Sequence, residues 1–195
     1  MARRPELEGF AATHGLKMGS IEQLIAHRLS TEHTVERVDE RAIETVHGDF
    51  RLFTYRDRLS RELHFALVRG APSGDDAVLV RVHVKNPLSD LLHWQRADFG
   101  VGAFDAMARI AAEGCGVLVV LAEPVPADEL LARIIGQAPE AAPRVAEWRR
   151  TGTGAQILAD LGLHRLRVLG TPRRQVGLAG FGLEVVEYVP VGATP

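Results

Sequence analysis

Cysteine is almost missing from this chain: Cys115 stands alone in 195 residues. A disulfide framework needs pairs, so a stapled secreted scaffold is excluded. Zinc fingers and ribbons, which need several thiolates, are excluded with it. Lysine is nearly as scarce. Lys17 and Lys85 are the only two, which leaves 21 of the 23 basic residues as arginine. That skew reads as the codon bias of a GC-rich genome rather than as function. A surplus of one charge is also lacking, since 23 basic against 25 acidic residues gives a net charge of −2. Nothing here marks the clustered basic face of a nucleic-acid binder. No apolar run reaches the roughly 18 residues that a membrane span needs. The opening Met1-Ala2-Arg3-Arg4-Pro5-Glu6 has no apolar stretch behind its charges, unlike a secretory signal. Neither a membrane nor a nucleic acid is an expected partner, and the expected location is the cytoplasm.

What is present suits a globular protein. The hydrophobic fraction is 46% and the charged fraction 25%, enough apolar material to exclude a disordered chain. A chain of this length hides roughly 70% of its unfolded surface and needs no staples. Leu7, Phe10 and Ala11 fall at helical spacing over 5–13, with Gly15 as a stop. Ser20 and Gln23 form a capping box ahead of the stripe Ile21, Leu24, Ile25 and Leu29, which predicts a second helix over 20–30. From His33 the period becomes two, and 33–38, 50–55, 63–69 and 77–84 read as hairpin-linked strands. Beyond Lys85 helices alternate with strands. Helices are expected over 101–113, 127–136, 142–150 and 153–161, with a break at Gly152. Strands are expected over 116–121, 165–169 and 183–189, and a turn or short helix over 172–178. The expected fold is α/β: antiparallel N-terminal strands joined to a mixed or parallel sheet flanked by helices.

Three stretches in fixed order carry a family pattern. Arg81-Val82-His83 ends a strand. Thr153-Gly154-Ala155-Gln156-Ile157-Leu158 leads into Asp160-Leu161-Gly162. Gly177-Leu178 precedes Phe181-Gly182-Leu183-Glu184-Val185-Val186-Glu187, and the pattern closes on Val189-Pro190. Together they resemble GTP cyclohydrolase II from about Val35 to Pro190. The preceding part, with Pro5, Leu7, Phe10-Ala11 and His14-Gly15-Leu16-Lys17, resembles the last stretch of 3,4-dihydroxy-2-butanone 4-phosphate synthase. The two are fused in many bacteria, synthase first. The resemblance implies a helical remnant of the synthase over 1–30, a cyclohydrolase-like domain over 31–190 and a frayed tail over 191–195.

The family opens the imidazole ring of GTP with a zinc-bound water. The resemblance implies three cysteine ligands, at positions that here read Asn86, Ala97 and Phe99, while the neighbours Asp90, Arg96, Asp98 and Gly100 match. Alanine and phenylalanine bring no metal-binding atom, and a zinc that activates water needs three protein ligands. The family's glycine-rich loop here reads Ala122-Glu123-Pro124-Val125-Pro126-Ala127-Asp128-Glu129, with two prolines and no glycine. Relics remain by alignment: Glu147 for the catalytic aspartate, Arg149 for the nucleophilic arginine, and Arg81, His83 and Arg174 toward the substrate. Phe99 and Ala97 are expected to fill the former metal cleft with apolar atoms beside Trp94 and Phe104. His83, Asp90, His93 and Asp98 are the side chains from which a relocated metal site would have to be built, and Cys115 is expected to be an inert core thiol.

Three readings follow. In the first, the domain is a catalytically degenerate support for the synthase, with no cofactor, the synthase domain as partner and a homodimer as its assembly. In the second, it is an active cyclohydrolase with altered ligands that uses zinc and magnesium. In the third, it binds a nucleotide without reacting.

Overall fold

A computed structural model describes residues 4–19, 27, 32–137, 144–172 and 178–190. Its frame is one seven-stranded sheet in the order β1-β2-β3-β5-β4-β6-β7. The strands are β1 (Val35–Thr45), β2 (Gly48–Asp57), β3 (Leu63–Arg69), β4 (Ala77–Val84), β5 (Gly116–Leu121), β6 (Arg165–Leu169) and β7 (Glu184–Val189). β1, β2, β3 and β5 pair antiparallel, whereas β5, β4, β6 and β7 pair parallel. The helices are α1 (Arg4–Thr13), α2 (Pro87–Asp90), α3 (Ala103–Glu113), α4 (Ala127–Ile134) and α5 (Arg144–Asp160). The mixed sheet flanked by helices is the architecture expected from the sequence.

Alternation along the strands divides the core into two layers. Val78, Val80, Val117, Val119 and Leu121 face one way and pack on Ala155, Ile157 and Leu158 of α5. Leu79 and Leu118 face the other way and pack on Ala106 and Ile110 of α3. The helix after β4 therefore covers one face and the helix after β5 the other. Adjacent parallel strands whose helices leave to opposite sides form a topological switch point, and the crevice at their carboxyl ends is where open α/β sheets take ligands.

Small residues set how closely α5 approaches the sheet. A Cβ on Gly154 would sit 3.0 Å from Val82. Residues 152–158 are buried all round, so α5 runs unbroken through Gly152, where a break was expected. Propensity argues against glycine inside a helix, but burial on every side overrides it. At the far end of α5, Asp160 accepts a 2.7 Å hydrogen bond from the buried Tyr55 hydroxyl and a 2.6 Å one from Arg37. Burial first, then the Asp160 charge, pushes the phenol pKa up, so Tyr55 stays a donor.

β1 runs seven residues beyond its expected end. Its outer half, Asp39-Glu40-Arg41 and Glu44, lacks apolar alternation because it is an edge strand, where charges oppose edge-to-edge pairing. Gly114, at φ 78, ends α3 as anticipated. The first helix forms with Leu7 at 46% and Phe10 at 57% exposure. The expected helix over 20–30 lies outside the described residues apart from His27, as does the tail over 191–195.

Candidate functional site

The carboxyl ends of β4, β5 and β6 open into a cavity of about 610 Å³. β4 supplies Arg81 and His83 to its lining, followed by Lys85 and Asn86. The loop after β5 supplies Glu123 and Pro124, α4 supplies Glu129 and Arg133, and α5 supplies Glu147 and Arg150.

His83 is 3% exposed, and its Nε2 lies 2.9 Å from both carboxylate oxygens of Asp90. The same carboxylate accepts hydrogen bonds from the Asn86 backbone N–H at 2.8 Å and from the Ser89 hydroxyl at 3.0 Å. Burial on its own would raise the Asp90 pKa. The bonds from His83, Asn86 and Ser89 outweigh it and hold the carboxyl below its ordinary value. The stability this contributes is present above the unfolded carboxyl value, about 3.9, and is lost as pH falls through the lower folded value. Asp90→Ala is therefore expected to cost about 2–3 kcal/mol near neutrality, the scale for removing hydrogen bonds to a charged acceptor. Urea titrations of both proteins should begin to converge only as pH falls below the unfolded carboxyl value of about 3.9. An equal deficit at pH 3 and pH 7 would refute the assignment.

Asn86 has a structural task. It is 7% exposed, and its side-chain oxygen accepts the Leu88 N–H at 3.1 Å, capping α2 with Pro87 at the first helical position. Arg81 donates to the carbonyls of Leu169 at 3.2 Å and Val101 at 3.0 Å, tying the end of β6 to the chain before α3. Gly170, at φ 138, makes room for this, since a Cβ there would sit 3.0 Å from the guanidinium.

α5 presents Glu147 to the cavity, whereas Arg149 is exposed and lies outside the lining. The arginine that lines the cavity is Arg150, one position or about 100° round the helix. Arg150 is paired with Glu123 at 2.6 Å. On α4, Arg133 pairs with Glu129 four residues earlier, a spacing visible in the sequence. Arg150, Glu123, Arg133 and Glu129 were not singled out from the sequence. Arg174 lies outside the described residues. Among the described residues, the basic lining side chains Arg81, Lys85, Arg133 and Arg150 are matched in number by the acidic Asp98, Glu123, Glu129 and Glu147.

Ala97 begins a one-turn 3-10 helix that Phe99 ends. Phe99 lines the cavity but is only half-buried. The loss of 3–5 kcal/mol that fits a fully buried phenylalanine therefore does not apply to it. Trp94 is its neighbour, edge-on at 5.9 Å, as expected. Phe104 is not: it packs on His47 and His93 instead. Among the described residues no three His, Cys, Asp or Glu side chains are placed to hold a metal ion. Cys115 is half-buried, and burial, then Asp76 and Glu113, pushes its thiol pKa up, which makes it a poor nucleophile.

A family model for GTP cyclohydrolase II matches residues 36–190. The chain belongs to the GTP cyclohydrolase II family. It is 48% identical over 97% of its length to a 3,4-dihydroxy-2-butanone 4-phosphate synthase of Pseudomonas syringae pv. tomato, covering 53% of that protein. It is 35% identical over its whole length to the riboflavin biosynthesis protein RibBA of Chlorobium phaeovibrioides, covering 50% of that protein. A solved structure of RibBX, described as a two-domain 3,4-dihydroxy-2-butanone 4-phosphate synthase from A. baumannii, aligns with a TM-score of 0.70 at 40% identity. That alignment covers 96% of this chain and 49% of the other. The chain thus spans about half the length of the relatives it matches.

The family's implied zinc does not fit this GTP cyclohydrolase II scaffold. At the first position the Asn86 oxygen is held by the Leu88 N–H, and at the other two alanine and phenylalanine offer no donor atom.

Proposed function

We propose that this chain is the cyclohydrolase-fold half of a two-domain 3,4-dihydroxy-2-butanone 4-phosphate synthase, acting in the cytoplasm, and that it supports or regulates the synthase half instead of opening GTP. One observation carries the reading: the three implied zinc positions hold a helix cap, an alanine and a phenylalanine. The names of the half-matched relatives support the pathway. The cavity chemistry points the same way, because among the described residues four basic and four acidic lining side chains balance. The pairing of Arg150 with Glu123 and of Arg133 with Glu129 reduces the free cationic capacity further. The exposed Leu7 and Phe10 of α1 suit a surface covered by the synthase half or by a second copy in a homodimer.

A cavity that persists at the switch point favours a second reading, a nucleotide-binding domain that does not react. The deciding experiment combines metal analysis, formate release from GTP, and thermal melts with GTP. The expected result is far less than one zinc per chain, no formate and an unmoved melt. One zinc per chain with formate release would overturn the proposal in favour of an enzyme with altered ligands. Zinc-free protein whose melting temperature rises with GTP would replace it with the nucleotide-binding reading, since a ligand that binds only the native state stabilises it.

A further inference from the structure

The segment 94–99 contains two of the three positions at which the family's zinc is implied, yet it is tightly organised around Arg96. The guanidinium carbon lies 5.2 Å from the centroid of the Trp94 ring and 4.8 Å from that of Phe99. The two rings meet at 90° with centroids 5.9 Å apart, so the cation sits in their angle. Two guanidinium nitrogens, Nε and Nη2, each reach a different oxygen of Asp98 at 3.0 Å, a bidentate fork. The third, Nη1, leaves the segment and donates to the Arg133 carbonyl at 2.6 Å. That carbonyl belongs to the last turn of α4, where it also accepts a longer 3.4 Å bond from the Gly136 N–H and where the helix dipole favours a cation. Asp98 and Phe99 form one wall of the cavity and Glu129 and Arg133 another. One side chain therefore closes its own loop and fastens it to the facing helix.

We propose that Arg96 is a metal-free latch: it does for this loop what a bound metal does elsewhere, holding 94–99 in shape and fixing the loop against the end of α4 so that both walls of the cavity keep their spacing. The inference rests on the reading that this domain holds no zinc. Its chemistry is that of a planar cation between aromatic faces, with every nitrogen engaged. Lysine carries the charge but has no fork and no flat face, so charge alone does not rebuild the latch.

The test is amide hydrogen exchange on the full chain, read over 95–101 and 130–137, with strand 116–121 as reference. In the wild type, neither a chelator nor added zinc should change exchange in either segment. Arg96→Met should speed both segments together by about tenfold or more while the reference strand stays slow. Arg96→Lys should behave like Arg96→Met. The double change Trp94→Leu with Phe99→Leu, which leaves the hydrogen bonds of Arg96 in place, should move both segments the same way by less. If Arg96→Met speeds the reference strand as well, the fold itself has failed and the double change decides. Unmoved exchange over 130–137 in the deciding variant would overturn the latch while leaving the metal-free reading intact. Exchange in the wild type that a chelator speeds, or zinc slows, would overturn both, because a metal would then be holding the loop.

Discussion

Gln156→Leu is expected to lower the melting temperature by roughly 6–12 °C, an effect of about 3 kcal/mol at the 2–4 °C per kcal/mol typical of this size. Gln156 is 4% exposed on α5. Its side-chain oxygen accepts from the Thr34 backbone N–H at 2.8 Å, the Thr34 hydroxyl at 3.2 Å and the Val35 N–H at 3.3 Å. Its amide nitrogen donates to the Glu32 carbonyl at 3.0 Å. One side chain thus satisfies the backbone where the chain enters β1, an edge strand with no second neighbour to do so. Leucine fills a similar volume, so little of the loss comes from a cavity. The loss comes from buried donors and an acceptor left without partners, each costing about 1–3 kcal/mol unless water reaches it. Exchange should accelerate over 32–36 ahead of the rest of the sheet. A melt within about 2 °C of wild type would show that the start of β1 is anchored elsewhere.

The centre of the parallel half was legible because β5 is apolar on both faces. Val117 to Leu121 stands out as a run, and both β5 and the more polar β6 have the expected bounds. The antiparallel edge was less legible. β1 was placed but cut short, since only its first few residues show an apolar period and the remainder is a charged rim specified by its pairing with β2. α5 was split in two because glycine at 152 reads as a breaker, whereas burial of 152–158 on every side carries the helix through it. At the site, Arg81 and His83 were legible through the resemblance of Arg81-Val82-His83 to the family pattern. Arg149 was singled out by alignment, yet Arg150 lines the cavity. A one-residue difference in helix phase is invisible to alignment and decisive for which side chain faces inward. The caging of Arg96 by Trp94 and Phe99 was not legible either: the residues are close in sequence, but only the turn at Ala97–Phe99 folds the second ring back onto the cation.

Gly116→Ala is expected to be among the most damaging one-carbon changes at the described residues, costing about 3–5 kcal/mol and leaving the protein largely insoluble or molten at 37 °C. Gly116 opens β5, at the centre of the sheet between β3 and β4. A Cβ there would lie 2.7 Å from the Leu79 carbonyl oxygen on β4, and 3.1 Å and 3.3 Å from two carbons of the Ile110 side chain on α3. The isoleucine can turn, but the carbonyl belongs to the neighbouring strand and cannot move without spreading the parallel pair. Overpacking of a flexible core typically costs about 1–3 kcal/mol, and a clash with fixed backbone lies at or above the top of that range. An alanine would also remove chain entropy from the unfolded state, a gain of about 0.4–1 kcal/mol that is too small to offset the clash. The strand pair at stake carries the switch point at its opposite, carboxyl end. Measured in an Ile110→Ala background, which removes both of those carbons, the Gly116→Ala penalty should shrink little, because the backbone oxygen is the nearer obstacle. Loss of most of that penalty in the Ile110→Ala background, or a Gly116→Ala melt within about 2 °C of wild type, would show that helix packing sets the limit here and not the contact between strands.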